Sequence, residues 1–562
     1  MLHMSMHRRA LLSLALALWI APPAQAQGEY SRASRTVDDL FSRFTRDSSP
    51  GLAIAVVKDG RTVFTRGYGL ADLEHRIPIT PSTVFDVASV SKQFTGLAIA
   101  MLVEEGKVKL DDDVRHYIPE FPDVGHTITI NHLLHHTSGL RDWPGTLAVA
   151  GWRFDDVISF DQIQRMAMHQ HSLNFVPGAE YTYSNTGYNM LAEVVERVSG
   201  QSFRAWTQQH LFAPLGMTRS VFRDDHMMVI RDRAFGYSPA PRGQWAATTN
   251  NLTALGSSSL MSTVEDLARW VINFDSARVG GKAAMAMTRT RGVLNDGSTI
   301  PYAFGISHGD YRGQPTVSHS GSWASFATYV VHFPSQHAGV VILANSPIVN
   351  PGQAAYQVAD AFFGDAFGSV RAGSGAPAKP LQLTADALDS LTGTYRLGPG
   401  WYADVRRDGT TLSVQATNEM RVPMQAASPT EFWVPAYGAS MTFVRGTDGT
   451  VTSLTYRGKP APRMPSEASS PAPLSDFVGD FYSDELEATY HVQLHGDSLV
   501  VVHWRHGPMP LARRFGEEFG TDQWFLKSVA FTRGANGQVD GLVVNVDERS
   551  RDIRFQKTRG RD

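Results

Sequence analysis

The chain has 562 residues, 42% apolar and 19% charged, with a formal net charge of −3 and no cysteine. Such a length exceeds what one hydrophobic core organises, so two to four domains are expected, and the composition excludes a disordered chain. With no basic block outside the N-terminus there is no electrostatic case for nucleic acid, and the missing cysteines exclude disulfides, Cys-ligated zinc and a thiol nucleophile.

The opening stretch, "MLHMSMHRRALLSLALALWIAPPAQAQ", has the organisation of a signal peptide. Arg8 and Arg9 form a positive start, Leu11 to Ile20 an apolar run, and Ala24 to Ala26 a small-residue cleavage site, giving a signal peptide over 1–26. The run is short of the ~20 residues that span a bilayer. A periplasmic or secreted protein, without a stable membrane anchor after cleavage, is therefore expected; the competing reading is a retained anchor.

"LAIAVV" (52–57), the turn "KDGR" and "TVFTRGYG" then read as a β-hairpin. "SVSKQFTGLAIAMLVEEG" is helical, with Phe94, Leu97, Met101 and Leu102 recurring at three- to four-residue spacing and Gly106 ending the run. Ser89 falls at its start, where free N–H groups and the helix dipole favour developing negative charge. Lys92, one turn later, is the only lysine with a serine three residues before it. A serine hydroxyl becomes a nucleophile once a base takes its proton, and a lysine serves when burial lowers its pKa by about 3 units from ~10.4. Alone, the spacing is weak evidence, and Ser89 as a helix cap with Lys92 as a solvated charge is the more ordinary reading.

His132 and His136 stand four residues apart, yet no Glu lies between them in the zinc-protease pattern and no third ligand follows, so no metal is expected. Further on, "YTYSNTGYNMLAEVVERVSG" places Tyr183-Ser184-Asn185 before a helix with Leu191, Val194, Val195 and Val198 on one face and Gly200 at its end. Tyrosine can shuttle a proton between nucleophile and leaving group, and an asparagine amide can orient a substrate carbonyl and hold Lys92. In "PTVSHSGSWASF" the triplet His319-Ser320-Gly321 ends a strand, where glycine admits close approach of a ligand backbone. "SFATYVVHF" and "AGVVILANS" give two more strands. Strands at both ends of a helical middle suggest an α+β domain over 28–370 with an antiparallel sheet.

Two Pro/Gly/Ser/Ala-rich stretches, 371–380 and 465–473, have linker composition. The segments they bound, 381–464 and 474–558, look like copies: "FVRGTDGTVTSL" from Phe443 matches "FTRGANGQVDGL" from Phe531, and "LTGTY" (391–395) matches "FVGDF" (477–481). Short β-rich runs between Asp-Gly or Asn-Gly turns predict two small duplicated antiparallel β-barrels.

Serine-x-x-lysine, Tyr-x-Asn and a strand with a basic-x-Gly triplet, in that order, are the motifs of penicillin-recognising serine enzymes. Over most of residues 35–350 the chain resembles the family of class C β-lactamases, D-alanyl-D-alanine carboxypeptidases, D-aminopeptidases and related esterases. "LLHHTSGL" (133–140), "VPGAEYTYSNTGYN" and "LMSTVEDLARW" (260–270) support it. The resemblance implies Ser89 as acylated nucleophile, Lys92 as its basic partner, Tyr183 as general base and acid, and Asn185 as substrate-orienting amide. It also implies an oxyanion hole from the N–H groups of Ser89 and Ser322, and neither metal nor cofactor. His319 stands where β-lactamases and carboxypeptidases usually carry lysine, which weakens the case for binding a substrate carboxylate there and leans toward D-aminopeptidases and esterases. D-aminopeptidases of this family also carry two C-terminal β-barrels, one of which helps select a free amino terminus. An acidic barrel residue is therefore expected near the site, "YSDELE" (482–487) being one candidate. Trp143 and Trp323 are possible pocket residues.

The expected function is an exported serine hydrolase acting on amides of D-amino acids or D-containing peptides. The alternatives are a carboxylesterase with the same residues and a cell-wall or ligand-binding protein with a silent catalytic domain. The partner is a small-molecule or short-peptide substrate; the sequence leaves the oligomeric state open.

Overall fold

The computed structural model describes residues 30–44, 48–369, 380–417, 419–465 and 472–558. The expected signal peptide and most of the two linkers lie outside these residues. No helix among the described residues is long and apolar enough to cross a membrane.

Helix α1 (Ser31–Leu40) precedes the hairpin β1 (Leu52–Lys58) and β2 (Arg61–Tyr68). The helical middle includes α2 (Lys92–Glu104), α3 (Trp143–Val149), α4 (Asn185–Ser199) and α5 (Val264–Ser276). Strands β3 (Ser307–Tyr311), β4 (Gln314–Trp323), β5 (Phe326–Phe333) and β6 (Ala338–Ala344) follow, then α6 (Pro351–Phe363). The six strands make one antiparallel sheet in the order β3-β4-β5-β6-β1-β2. Chain start and chain end of the domain meet where β1 pairs with β6, Leu52 opposite Ala344.

Both faces of the sheet are covered, which is why β1 is apolar at successive positions instead of alternating. Leu52, Ile54 and Val56 pack with Val37, Phe41 and Val358 of α1 and α6. Ala53, Ala55 and Val57 belong to the other core, with Phe94, Trp270 and Val271 of α2 and α5. Helix α2 runs through that second core with Lys92 to Ala100 all buried, as expected of a helix apolar on nearly every side.

Residues 474–558 form a closed eight-stranded antiparallel barrel. The preceding copy follows the same path around one core, but its ladder is split into a four-stranded and a five-stranded sheet. The split falls where Val422–Pro423 and Gln425–Ala426 pair with different sheets; the matching stretch of the second copy, Pro508–Phe515, is one continuous strand. The expectation of two barrels thus needs one correction: among the described residues the first copy is closed by an isolated bridge, Tyr395 to Arg463, and not by a continuous ladder. The copies still agree in detail. Gly393 and Gly479 both adopt positive φ, 141° and 147°, and a Cβ there would strike the cation of the closing strand, Arg463 in one copy and Lys557 in the other.

The second barrel is stitched to the catalytic domain by its last turn, 547–552. Asp142 N–H donates to the Arg549 carbonyl (2.9 Å), Asn174 Nδ2 donates to the same carbonyl (2.8 Å), and the Ser550 hydroxyl donates to the Asp142 carbonyl (3.0 Å). Arg141, fully buried, donates to the Arg551 carbonyl (2.7 Å) and pairs with Glu485, itself 9% exposed. Removing one partner of a buried pair leaves an uncompensated charge. Glu485→Ala should therefore destabilise the docked barrel by about 3–5 kcal/mol, seen as a lower first transition in scanning calorimetry; Arg141→Met with Glu485→Leu should recover most of it.

Candidate active site

Ser89 sits in a 3₁₀ turn, Ala88–Ser91, directly before α2. The turn is held open in an unusual shape: Ala88 has φ +48°, a left-handed conformation that a non-glycine residue adopts only when its surroundings enforce it. Asp86 accepts from the Ala88 N–H (2.8 Å), the Thr328 hydroxyl of β5 donates to the Val87 carbonyl (2.9 Å), and the Ser91 hydroxyl donates to the Ala88 carbonyl (2.5 Å). Strand β4 closes on the same turn. A Cβ at Gly321 would lie 2.3 Å from the Val87 carbonyl oxygen and 3.1 Å from Ser89 N. Gly321 is thus required by the chain's own backbone, where the sequence suggested room for a ligand, and it brings Ser322 beside the nucleophile turn.

Lys92, one helical turn on, has no solvent exposure. Its Nζ lies 3.2 Å from Ser89 Oγ and donates to Asn185 Oδ1 and to the Ser257 carbonyl, each at 2.7 Å. Burial lowers its pKa to about 7, with Asp142 opposing that shift and Arg549 adding to it. The Tyr183 phenol is held protonated, its pKa raised by burial with neighbouring Ser89 opposing the shift; its ring also lies 4.9 Å from Lys92 Nζ.

Asp142 orders this cluster and was not singled out by sequence reasoning; its one trace is an acidic residue in the apolar stretch "LRDWPGTLAV". Although it occupies the N-cap of α3, its side chain does not cap. Both carboxylate oxygens go instead to Asn185, accepting from the backbone N–H (2.7 Å) and from Nδ2 (3.0 Å). That clamp fixes the amide with Oδ1 toward Lys92. Arg549 of the barrel pairs with Asp142 at 3.5 Å and with Asp547 at 3.2 Å; although burial opposes its charge, these carboxylates hold its pKa above the ordinary value.

His319 is neutral. Its Nδ1 lies 2.6 Å from the Ser320 carbonyl, which can only accept, so Nδ1 carries the proton and Nε2 accepts from the Tyr302 hydroxyl at 2.9 Å. Burial, and then the charge of Lys92, lower its pKa to about 3. His132 and His136 have separate duties. The first closes a capping box with Thr129, and the second is buried against Tyr183 at 4.2 Å between ring centres, its Nδ1 accepting from Ser184 N–H.

These residues line a cavity of about 450 Å³, with Ser89, Tyr183, Asn185, His319 and Ser322 on its wall together with Trp143, Trp323 and Arg549. No carboxylate lines it among the described residues. The expected acidic barrel residue is accordingly corrected: "YSDELE" is spent on docking, Glu485 on Arg141, Glu487 on Arg165 (2.8 Å) and Asp484 against His171 (3.3 Å). The barrel residue that does reach the cavity is a cation.

Residues 37–362 match the family described as Beta-lactamase. The chain belongs to the beta-lactamase family. As a member of it, the protein is a serine hydrolase. It is 28% identical over 365 residues to a D-aminopeptidase of Gluconobacter oxydans, the match covering 65% of this chain and 66% of that protein, just under two thirds of its length. To penicillin-binding protein 4* of Bacillus subtilis it is 28% identical over 425 residues, 72% of this chain and 92% of the relative. Among solved structures, the octameric penicillin-binding protein homologue from Pyrococcus abyssi shares the fold with a TM-score of 0.55 at 21% identity, covering 84% of this chain and 98% of its own. The hydrolase EstCE1 does so with a TM-score of 0.51 at 21% identity, covering 60% and 99%.

With Lys92 as the base for Ser89 in this beta-lactamase family member, kcat/KM is expected to rise with pH through an acid limb near 7 and level off above it. Arg549→Met removes a positive charge that favours the neutral amine and should move that limb to higher pH. A limb near 4, or one unmoved by the substitution, would show that Lys92 is not the group titrating.

Proposed function

We propose that the protein is a D-peptide hydrolase working through a Ser89 acyl-enzyme, with a substrate carboxylate met by Arg549. The observation that carries the reading is the arrangement around Lys92. A neutral amine has two N–H bonds and one lone pair. Asn185 and the Ser257 carbonyl take the two N–H bonds at 2.7 Å. The lone pair is left for Ser89 Oγ at 3.2 Å.

In this mechanism Lys92 takes the Ser89 proton as Oγ attacks the scissile carbonyl. The N–H groups of Ser89 and Ser322 receive the oxyanion, each donor contributing roughly 3 kcal/mol in the transition state. Tyr183, kept neutral beside Ser89, gives its proton to the leaving amine and recovers the one that Lys92 took, so the tyrosine acts as acid and relay while the lysine is the resting base. Water then releases the acyl group by the reverse route. The names of the relatives, a D-aminopeptidase and a penicillin-binding protein, support substrates with D-amino acids. The arginine-led apolar leader supports an exported enzyme.

Within that class the cavity favours a carboxylate over a free amine. Its wall has no acidic group among the described residues, and it carries the Arg549 guanidinium, whose side chain is 42% exposed. A carboxylesterase acting through the same residues is the second reading. It is favoured by the neutral His319–Tyr302 pair, which offers no permanent charge where the related peptidases carry lysine.

The test, run at a pH above the acid limb of both wild type and Arg549→Met, compares N-acetyl-D-alanyl-D-alanine, its C-terminal amide and D-alanine p-nitroanilide, with Ser89→Ala as the inactive control. The free acid should be cleaved faster than the amide. Arg549→Met should erase that preference by raising KM about 10- to 100-fold for the acid alone, as expected for loss of a charge-assisted hydrogen bond. Faster release from D-alanine p-nitroanilide, indifferent to Arg549→Met, would restore the amine-selecting reading.

A further inference from the structure

A line of aromatic rings leads out of the cavity and crosses onto the C-terminal barrel. Trp143 and Trp323 line the cavity with ring centres 5.7 Å apart. Phe154 packs edge-on against Trp323 at 5.2 Å, and Trp524 lies against Phe154 at 4.9 Å. Phe154 belongs to the turn after α3, Trp524 to the barrel loop before Ser528–Arg533, so the line is completed only because the barrel is docked.

The outer two rings are not ordinary interface packing. Although they touch, Phe154 remains 42% exposed and Trp524 41% exposed, whereas neighbouring Phe525 is 4% exposed and fills the barrel core. Apolar rings left half in water beside a catalytic cavity mark a surface that another apolar group covers. The occupant therefore has an apolar end that reaches outward from Ser89 along these rings. Two ring-to-ring steps of 5.2 and 4.9 Å match about three residues of extended peptide, or an acyl chain of similar reach.

We propose that Trp323, Phe154 and Trp524 form a binding track for the apolar end of the substrate, leading from Ser89 onto the C-terminal barrel. The track rests on the reading of Ser89 as the acylated residue. It gives the barrel a second part in selectivity beside Arg549: the guanidinium recognises charge near the scissile bond, and Trp524 recognises apolar bulk away from it.

The experiment uses the full mature chain with p-nitrophenyl acetate, octanoate and 3-phenylpropionate, comparing wild type with Phe154→Ser and Trp524→Ser. Acetate is too short to reach the track, so its kcat/KM should stay within about twofold, while the longer esters should lose about tenfold, mainly through KM. Loss on octanoate alone assigns an alkyl chain, and loss on phenylpropionate alone an aromatic side chain. Equal losses on all three esters, or none, would overturn the track; because the two residues lie in different domains, one misfolded variant leaves the other as the test. If no ester is turned over by wild type, the carboxylesterase reading fails by itself. Calorimetric binding of N-(3-phenylpropionyl)-D-alanine against N-acetyl-D-alanine then decides the track. About tenfold weaker binding of the first ligand alone in Trp524→Ser supports it, and unchanged binding overturns it.

Discussion

Burying a lysine amine without solvent, three residues from a serine, imposes requirements that spread through much of the molecule. The amine needs acceptors fixed in place, and Asn185 and the Ser257 carbonyl supply them at 2.7 Å. An asparagine amide is useful there only if its oxygen faces the lysine, which the two-point clamp by Asp142 ensures. Asp142 is in turn a carboxylate in a low-dielectric site, and its counter-charge is Arg549. That arginine comes from a barrel more than four hundred residues further along the chain, so the charge balance of the catalytic cluster depends on a separate domain being docked.

A second constraint is the close fit of β4 against the nucleophile turn. Gly321 has no room for a side chain between Thr328, Val87 and Ser89, and the left-handed Ala88 is held by its N–H donating to Asp86, by the Ser91 hydroxyl on its carbonyl and by the Thr328 hydroxyl on the Val87 carbonyl. Two backbone segments from opposite ends of the domain are thereby locked together around Ser89. Preorganised donors are effective in catalysis because they need not reorganise as charge develops, and a turn fixed on three sides meets that condition.

His319 is buried and neutral, spending both ring nitrogens on Ser320 and Tyr302. The positive charge facing the cavity comes from Arg549 instead. With the cation supplied by the barrel, the α+β domain leaves no permanent charge at His319, and Arg549 is the charged group that the barrel adds to the cavity wall. The docking turn 547–552, stitched to Asp142 and Asn174 mainly through backbone and small polar groups, holds Arg549 in that role.

Local pattern made much of this legible. The hairpin at 52–68, the strands after 314, the helix after Ser89 and the duplication of the C-terminal segments follow from periodicity, turn residues and internal repetition, which act over a few residues. Ser89, Lys92, Tyr183, Asn185 and His319 were readable because each sits in a short motif, and the structure brings four of them to one cavity, with Lys92 buried behind Ser89 and Asn185. Asp142 and Arg549 had no such motif: each is an ordinary charged residue until folding places it opposite its partner. The broken ladder of the first barrel copy was equally hidden, since strand pairing across a closing seam depends on residues far apart in sequence. Sequence by itself therefore determined the chemical groups and the elements that carry them. The tertiary structure alone decided which charge faces the substrate, because electrostatic partnership falls off over a few ångströms and those distances exist only once the domains have packed.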